Sequence, residues 1–338
     1  MTRRVRVAVL LGGRSSEHDI SLASARSVLD ALDPERYDTV TVEIGRDGRW
    51  ELGTGENSGS AAETLPVPTA KVPATLGEVD VVFPVLHGPF GEDGTVQGLL
   101  ELAGVPYVGA GVLGSALAMD KDVFKAVMRD RGIPVTRNIT LRQGQGAENP
   151  FGYPVFVKPA RLGSSVGISK ARDADGLAAA VALAFQHDEK VLVEEFVDGV
   201  EVECGVLGND RPEASLPGEI VSHGFSGADW YDYSAKYDEG GMDLEIPPRL
   251  DQETIERVQE LAVQAFVAGE CEGMARVDFF VTREGDVLVN ELNTIPGFTA
   301  TSVYAKLFEA SGVPYPELVD RLVQLALERH ERRSRLRY

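Results

Sequence analysis

The first hundred residues alternate short apolar runs with stretches that have the spacing of a helix. The apolar runs lie at residues 6–11, 37–44 and 79–85, and a helical pattern occupies residues 20–31. Apolar strands that alternate with helices in this way are typical of a parallel sheet. The N-terminal part of the chain is therefore predicted to be a parallel α/β sheet domain.

A different, α+β pattern begins near residue 115. One continuous helix is predicted at residues 115–131, because a glycine and a proline follow it. Strands are then predicted at residues 154–158, 168–170, 191–196 and 202–207, helices at 174–185, at 252–268 and from 315 onward, and a hairpin at 275–293. We expect three units, at residues 1–115, 116–196 and 197–338.

Composition and charge exclude several classes of function. Hydrophobic residues make up 43% of the 338 residues and charged residues 25%, as in folded globular proteins. The 33 basic and 53 acidic residues give a net charge of −20, which argues against nucleic-acid binding. No apolar stretch approaches the ~20 residues of a membrane span. Two cysteines, Cys204 and Cys271, cannot form a disulfide framework. We expect a cytoplasmic protein.

One motif points to a function that its context does not support. Residues 109–114, Gly-Ala-Gly-Val-Leu-Gly, match the G-x-G-x-x-G pattern of dinucleotide sites. Such a site also needs an acidic residue about 20 positions later, at the end of a strand. The candidate, Asp130, falls in the tail of a predicted helix. We therefore interpret the motif as a closely packed turn.

The hairpin at 275–293 carries the chemistry that the sequence shows best. With its turn between Glu284 and Gly285, Asp278 stands opposite Glu291 and Arg276 stands opposite Asn293. The opposite face of the hairpin then holds Val277, Phe279, Leu292 and Asn290. Paired carboxylates repel unless a cation bridges them, and hard oxygen ligands suit Mg²⁺ bound with a nucleotide. The alternative is a pair of salt bridges on a solvated sheet face.

A glycine-serine loop at residues 163–167 lies between two predicted strands, with backbone N–H groups and the hydroxyls of Ser164 and Ser165 available to phosphate oxygens. Lys158 at the entry to that loop, and Lys121 at the start of the earlier helix, are candidates for phosphate contacts. For either lysine alone, ordinary surface charge is the simpler interpretation. The loop and the lysines together favour a nucleotide site.

The segment at residues 193–197 offers an exposed backbone edge and an apolar side chain, as an adenine pocket requires, and Glu201 follows as a candidate for ribose hydroxyls. Residues 229–237 hold four aromatic side chains without a strand or helix period, a pattern typical of a functional loop or lid.

These motifs together resemble the D-alanine–D-alanine ligase family of ATP-grasp enzymes. The matching segments are residues 12–18 with Ser21, the His-Gly-x-x-Gly-Glu-Asp-Gly box at 87–94, Met-Asp-Lys at 119–121, the loop at 157–167, the lid at 233–237 and Asn-Glu-Leu-Asn-Thr-Ile-Pro-Gly-Phe-Thr at 290–299. The resemblance spans nearly the whole chain. It implies an N-terminal α/β domain followed by a two-part ATP-grasp fold.

The resemblance also implies a reaction. ATP phosphorylates the carboxylate of one D-alanine, and the amine of a second D-alanine attacks the acyl phosphate to give the dipeptide used in peptidoglycan precursors. ATP is a co-substrate, and two Mg²⁺ ions, replaceable by Mn²⁺, are implied on Asp278, Glu291 and Asn293. The family further implies a homodimer.

Roles of single residues follow from the same resemblance. Arg276 and the N–H of Gly297 stabilise the oxyanion, Glu17 holds the first ammonium group, His87 lies near the first carboxylate and Ser302 binds the second. Ser164 and Tyr237 join Glu17 in a network that closes the site. The implied nucleotide-binding residues are Lys121, Lys158, Ser165, Glu194, Glu195, Phe196, Val197, Glu201, Trp230 and Lys236.

Other functions remain open at this stage. A D-alanine–D-lactate or D-alanine–D-serine ligase is the nearest alternative, and Tyr237 favours the dipeptide, because lactate-forming members tend to lack that tyrosine. Ligation of other amino acids is disfavoured by Glu17 with His87. A nucleotide-binding regulator without turnover is disfavoured because binding alone does not need Arg276 beside the metal ligands.

Overall fold

The computed structural model describes residues 3–53, 64–65, 78–146, 149–163, 166–222 and 242–337. The N-terminal sheet has the strand order β4-β3-β2-β1-β5. Its strands are β1 (Val5–Gly12), β2 (Tyr37–Ile44), β3 (Trp50–Gly53), β4 (Thr64–Leu65) and β5 (Val81–Pro84). β1 pairs in parallel with β2 and with β5, as predicted. The pairs β2–β3 and β3–β4 are antiparallel, because β3 follows β2 through a short turn.

Helices follow the strands of this sheet; the first two helices pack against it, and the last two pack in the core of a later sheet. They are α1 (His18–Ala31), α2 (Thr95–Ala103), α3 (Val112–Met119) and α4 (Lys121–Asp130). The single helix predicted at residues 115–131 is wrong, since the structure has two helices that break at Asp120. Asp120 is extended and accepts a hydrogen bond from the Val123 N–H at 3.2 Å, so its side chain caps α4.

The G-x-G-x-x-G motif lies at the start of α3, where it lets this helix pack closely against a neighbouring segment of backbone. A Cβ at Gly114 would lie 2.6 Å from the carbonyl oxygen of Glu270, so only glycine fits this approach of α3 to the neighbouring backbone. The interpretation of the motif as a closely packed turn is confirmed.

The central sheet has the antiparallel order β6-β9-β7-β8. Its elements are β6 (Asn138–Arg142), β7 (Val155–Pro159), β8 (Ser169–Ala171), α5 (Ala174–Ala184) and β9 (Lys190–Glu195). Apolar side chains on one face of the sheet pack against α5 and form a core of their own. The opposite face is thereby left to line the space toward the third sheet.

The third sheet has the order β13-β12-β10-β14-β15, with β11 paired to β10. Its strands are β10 (Gly199–Gly208), β11 (Glu213–Ala214), β12 (Gly218–Ser222), β13 (Met242–Glu245), β14 (Gly273–Thr282) and β15 (Val287–Asn293). Helices α6 (Gln252–Ala268), α7 (Val303–Ala310) and α8 (Tyr315–Ser334) accompany it. The predicted helix at 252–268 and the start of the last helix at 315 are confirmed.

Helix α8 returns to the N-terminal sheet. Leu322 of α8 belongs to one buried cluster with Val7 and Phe83 of that sheet and with Phe298. Arg329 of α8 is buried and donates to the carbonyl oxygens of Tyr107 and Gly109. The first and last predicted units therefore share a core. Within the described ranges, no helix is both long and apolar enough to cross a membrane.

Candidate active site

A cavity of about 550 Å³ opens where the N-terminal sheet, the loop at residue 163 and the third sheet meet. The predicted site residues that line it are Glu17, His87, Arg276, Glu291, Asn293, Gly297 and Ser302. They come from segments almost 300 residues apart in the chain. The fold thus brings the substrate-binding and hairpin residues to one place.

The predicted register of the hairpin is confirmed at the site. Asp278 pairs with Glu291 and Arg276 pairs with Asn293. A β-bulge follows between Asp278 and Phe279, so that Phe279 pairs with Val289. Asn290 is the extra residue of β15 at this bulge. The prediction that strict alternation places Asn290 on one face with Val277, Phe279 and Leu292 therefore does not hold at the bulge. The Asn290 amide oxygen accepts a hydrogen bond from Lys158 Nζ at 3.2 Å.

Arg276 and Asp278 form the centre of the polar face. The guanidinium donates from Nε to Asp278 Oδ1 at 2.7 Å and from Nη2 to Oδ2 at 2.8 Å, while Asn293 Nδ2 donates to the same Oδ2 at 3.0 Å. Burial disfavours the charge of Arg276, but the carboxylates of Asp278 and Glu203 outweigh it and raise the pKa of Arg276 well above its ordinary value. The guanidinium is therefore a fixed cation at the wall of the cavity.

The donor set fits a hard cation that is shared with phosphate. Asp278, Glu291 and Asn293 offer carboxylate and amide oxygens, which are ligands that Mg²⁺ prefers. Over the described ranges, no group of three or more His, Cys, Asp or Glu side chains is arranged to hold a metal by itself. Such a site needs phosphate oxygens and water to complete the coordination, as expected for a metal that binds with a nucleotide.

Two lysines flank this face at short range. Lys121 Nζ lies 3.4 Å from Glu291 Oε2 and donates to the carbonyl oxygen of Leu162 at 2.7 Å, just before the glycine loop. Lys158 Nζ lies 2.6 Å from Glu194 Oε2. Both lysines are buried. The two lysines predicted to contact phosphate therefore lie beside the carboxylate face of the hairpin, with their ammonium groups buried and not on the surface.

Glu194 lies between two buried lysines, one of which the sequence reasoning missed. Lys125 donates to Glu194 and to Thr136, and Lys158 contacts the other carboxylate oxygen. Burial by itself would raise the pKa of Glu194, but the two lysines lower it to about 2. Burial lowers the pKa of Lys125 to about 8. The available signal was the spacing of four residues that puts Lys121 and Lys125 on one face of α4.

The predicted adenine edge needs a correction. β9 is an inner strand that pairs with β6 and β7, so the backbone at residues 193–195 is not an exposed edge. The Glu195 carboxylate accepts from the backbone N–H and the Nε–H of Arg137 at 2.8 and 2.7 Å. Beyond the strand, Phe196 is 39% exposed and stacks on Phe156. The chain therefore leaves the sheet at Phe196 and Val197, after the end of β9, and Glu201 lies on the adjoining strand β10.

The other end of the cavity holds a histidine and two carboxyl groups. His87 is buried, and its Nδ1 lies 3.0 Å from the carbonyl oxygen of Ile295, which makes Nδ1 the protonated nitrogen. Within the described part of the chain, Nε2 has no hydrogen-bond partner. Burial lowers the pKa of His87. Burial and the neighbouring Glu17 raise the pKa of Glu92 to about 8, a feature that the sequence reasoning missed.

The glycine loop begins directly above these groups. A Cβ at Gly163 would lie 3.7 Å from Glu92 Oε1 and 3.8 Å from Glu17 Oε2. The other two members of the predicted closing network, Ser164 and Tyr237, lie outside the described residues, as do the predicted nucleotide-binding residues Ser165, Trp230 and Lys236. Their roles stay predictions.

Ser302 stands at the N-terminus of α7, where backbone N–H groups favour an anion. Its hydroxyl accepts from the Thr299 N–H at 3.0 Å. A Cβ at Gly297 would lie 3.4 Å from this hydroxyl oxygen, which places the Gly297 backbone beside it. The two predicted residues therefore form one corner of the cavity.

Two sequence profiles match the chain. The profile described as D-ala D-ala ligase N-terminus matches residues 6–110, and the profile described as D-ala D-ala ligase C-terminus matches residues 127–324. D-alanine–D-alanine ligase A of Mesorhizobium japonicum is 47% identical over 364 aligned positions, covering 98% of this chain and 100% of the relative.

Solved structures agree. The D-alanine–D-alanine ligase of Coxiella burnetii superposes with a TM-score of 0.83 at 36% identity, over 98% of this chain and 96% of that one. The VanG D-Ala:D-Ser ligase of Enterococcus faecalis gives a TM-score of 0.85 at 36% identity, over 96% and 100%. The fold is therefore the ATP-grasp fold. Since both profiles match in order and the relatives align from end to end, the chain belongs to the D-alanine–D-alanine ligase family.

Proposed function

We propose that this protein joins two molecules of D-alanine into D-alanyl-D-alanine with ATP, through an acyl phosphate, for peptidoglycan precursors. The observation that carries the proposal is the single cavity in which Arg276, Glu291 and Asn293 face Glu17 and His87. One side suits phosphoryl transfer and the other suits an amino acid. Family membership supports this assignment over a binding role alone.

Phosphoryl transfer between two anions requires neutralised charge and fixed positions. Lys121 and Lys158 supply buried positive charges beside the hairpin. Asp278, Glu291 and Asn293 would hold two Mg²⁺ ions, for which Mn²⁺ can substitute. When bound, these ions would neutralise charge on the phosphate oxygens. The carboxylate of the first D-alanine takes the γ-phosphoryl group, and ADP leaves.

The first D-alanine is held by groups at the other end of the cavity. The Glu17 carboxylate binds its ammonium group, and His87 lies near its carboxylate. Burial lowers the pKa of His87 and so favours the neutral ring, which can orient the substrate without adding charge. Gly163, at the start of the glycine loop, lies close to Glu17, since a Cβ there would stand 3.8 Å from Glu17 Oε2.

In the second step the amine of the second D-alanine attacks the carbonyl carbon of the acyl phosphate. The nitrogen–carbon bond forms, the carbon–oxygen bond to phosphate breaks, and the amine loses a proton. Arg276 and the Gly297 N–H stabilise the oxyanion of the tetrahedral intermediate. Ser302 and the N-terminus of α7 bind the carboxylate of the second D-alanine.

A product assay separates this function from its nearest alternative. The enzyme is incubated with ATP, Mg²⁺ and D-alanine, alone or with equimolar D-serine or D-lactate, and the products are identified by mass spectrometry. D-Alanyl-D-alanine as the main product in all three mixtures is expected. A predominance of D-alanyl-D-serine or of the depsipeptide would replace the proposal by the corresponding ligase.

A cytoplasmic location and a homodimer complete the proposal. A cytoplasmic location is proposed because ATP, the co-substrate, is available there.

The homodimer is supported by exposed apolar side chains. Leu102 on α2 is 90% exposed and Leu113 on α3 is 61% exposed, and both are available for a contact with a second copy of the chain. Light scattering after gel filtration should give twice the 36.4 kDa mass of the chain. A monomer at micromolar concentration would remove the homodimer from the proposal.

A further inference from the structure

Glu203 forms a third carboxylate in line with the two on the hairpin. It lies on β10 directly opposite Asp278 on β14, and Asp278 lies opposite Glu291 on β15. Directly paired residues of adjacent strands point to the same face of a sheet, and the strands are about 4.8 Å apart. Glu203 is 3% exposed and lines the same cavity as Arg276 and Glu291.

Arg276 is shared between two of these carboxylates. Its Nε–H is donated to Asp278 Oδ1 at 2.7 Å, and the same Nε lies 2.9 Å from Glu203 Oε2 in an ion-pair contact. Among the described residues, Glu203 Oε2 has no hydrogen-bond donor. The guanidinium is therefore held from both neighbouring strands, from β10 by Glu203 and within β14 by Asp278. Like charges on adjacent strands destabilise a sheet unless a cation lies between them, and Arg276 occupies that position.

The two anchors differ in what else they must do. Asp278 is one of the three proposed metal ligands, and both of its oxygens now accept hydrogen bonds from Arg276. Carboxylate lone pairs that bind a divalent cation are no longer available to the guanidinium. Glu203 lies outside the proposed metal set, and its Oε2, 2.9 Å from Nε, is placed to accept the Nε–H that Asp278 would release on binding a metal.

We propose that Glu203 is a positioning residue that keeps the Arg276 guanidinium directed into the cavity while Asp278 binds metal. The proposal rests on the proposed role of Arg276 in stabilising the oxyanion. Glu203 acts through Arg276 and touches neither substrate nor metal. A displacement of about 1 Å at a group of this kind can cost on the order of 100-fold in rate.

The kinetic test uses Glu203→Gln, which keeps the volume and removes the charge, with Glu203→Asp as the conservative variant. Glu213→Gln on the neighbouring strand β11 is the matched control, since that side chain is 70% exposed. We expect kcat to fall about 10- to 100-fold in Glu203→Gln, with KM for ATP changed less than about twofold and partial rescue in Glu203→Asp. An unchanged kcat would overturn the proposal.

A double-mutant cycle with Arg276→Lys tests whether Glu203 acts through Arg276. In the Arg276→Lys background, Glu203→Gln should lower kcat by no more than about twofold. Additive losses would show an independent or merely structural role and would overturn the proposal. Mn²⁺ binding in the presence of ADP, followed by electron paramagnetic resonance, should be equal in wild type and Glu203→Gln. Tenfold weaker binding would make Glu203 a metal ligand instead.

A further readout does not depend on turnover. Selective ¹⁵N-arginine labelling gives an Nε–H resonance of Arg276, assigned by its loss in Arg276→Lys. With ADP and Mg²⁺ present, this proton should exchange with water at least tenfold faster in Glu203→Gln than in wild type. Equal exchange would refute the positioning role. If wild type makes no dipeptide, the proposed function fails, and this exchange measurement still decides the role of Glu203.

Discussion

Replacing Asp278 by asparagine should abolish ATP-dependent turnover and leave the fold intact. Asp278 is 2% exposed, so its negative charge acts at low effective dielectric on the proposed metal ion, which in turn would neutralise the phosphoryl oxygens. At about 4 Å and an effective dielectric constant of about 20, one pair of unit charges contributes about 4 kcal/mol, which corresponds to roughly 10³-fold in rate. We therefore expect kcat to fall by about 10³-fold or more.

The fold should tolerate this change because Arg276 keeps its contact with Glu203 at 2.9 Å. The variant also removes one of three neighbouring carboxylates and with it part of their repulsion. ADP release measures turnover, and thermal unfolding followed by circular dichroism measures stability. Asp286→Asn, at an exposed position of the same hairpin, is the control and should behave as wild type. Turnover within tenfold of wild type in Asp278→Asn would refute the metal assignment.

Three further predictions concern stability and reactivity. Glu194→Gln should lower the free energy of unfolding by about 3–5 kcal/mol in urea titrations, because two buried lysines lose their counter-charge, whereas Glu195→Gln should have a much smaller effect. The pKa of Glu92 is raised to about 8, so its contribution to stability is present below its ordinary pKa of 4.5 and is lost as the pH rises to about 8. Melting temperatures between pH 5 and 9 should therefore fall less steeply in Glu92→Gln than in wild type. Cys204 and Cys271, whose pKa values burial raises to about 12, should react with a thiol reagent only after unfolding.

Local patterns predicted those parts of the site that lie close together in the sequence. The pairing of Asp278 with Glu291 followed from alternation and a short turn, and the structure has the same pairing. Helix α6 followed from its periodicity and ends where its sequence pattern ends. The break at Asp120 had a sequence signal, since aspartate caps helices, but the continuous apolar spacing on both sides concealed it.

Features that depend on distant strands could not be predicted in the same way. Glu203 joins the site because β10 pairs with β14, which places it opposite Asp278, a residue 75 positions later in the chain. Likewise, β9 has no free edge at residues 193–195 because β6, from an earlier segment, lies beside it. Lys125 is buried against Glu194 only because the fold brings together α4 and β9, and these two residues are 69 positions apart. The four-residue spacing of Lys121 and Lys125 is a sequence signal for Lys125, but neither spacing nor composition records the two strand pairings.

The acyl phosphate is tested most directly by following an oxygen atom from the carboxylate of D-alanine to the phosphate that is released. D-Alanine labelled with ¹⁸O in both carboxylate oxygens is incubated with ATP and Mg²⁺, and the phosphate released is analysed by mass spectrometry. An acyl phosphate intermediate predicts one ¹⁸O atom in each phosphate released, with ADP and D-alanyl-D-alanine formed in equal amounts. Phosphate without ¹⁸O, or AMP in place of ADP, would contradict the account.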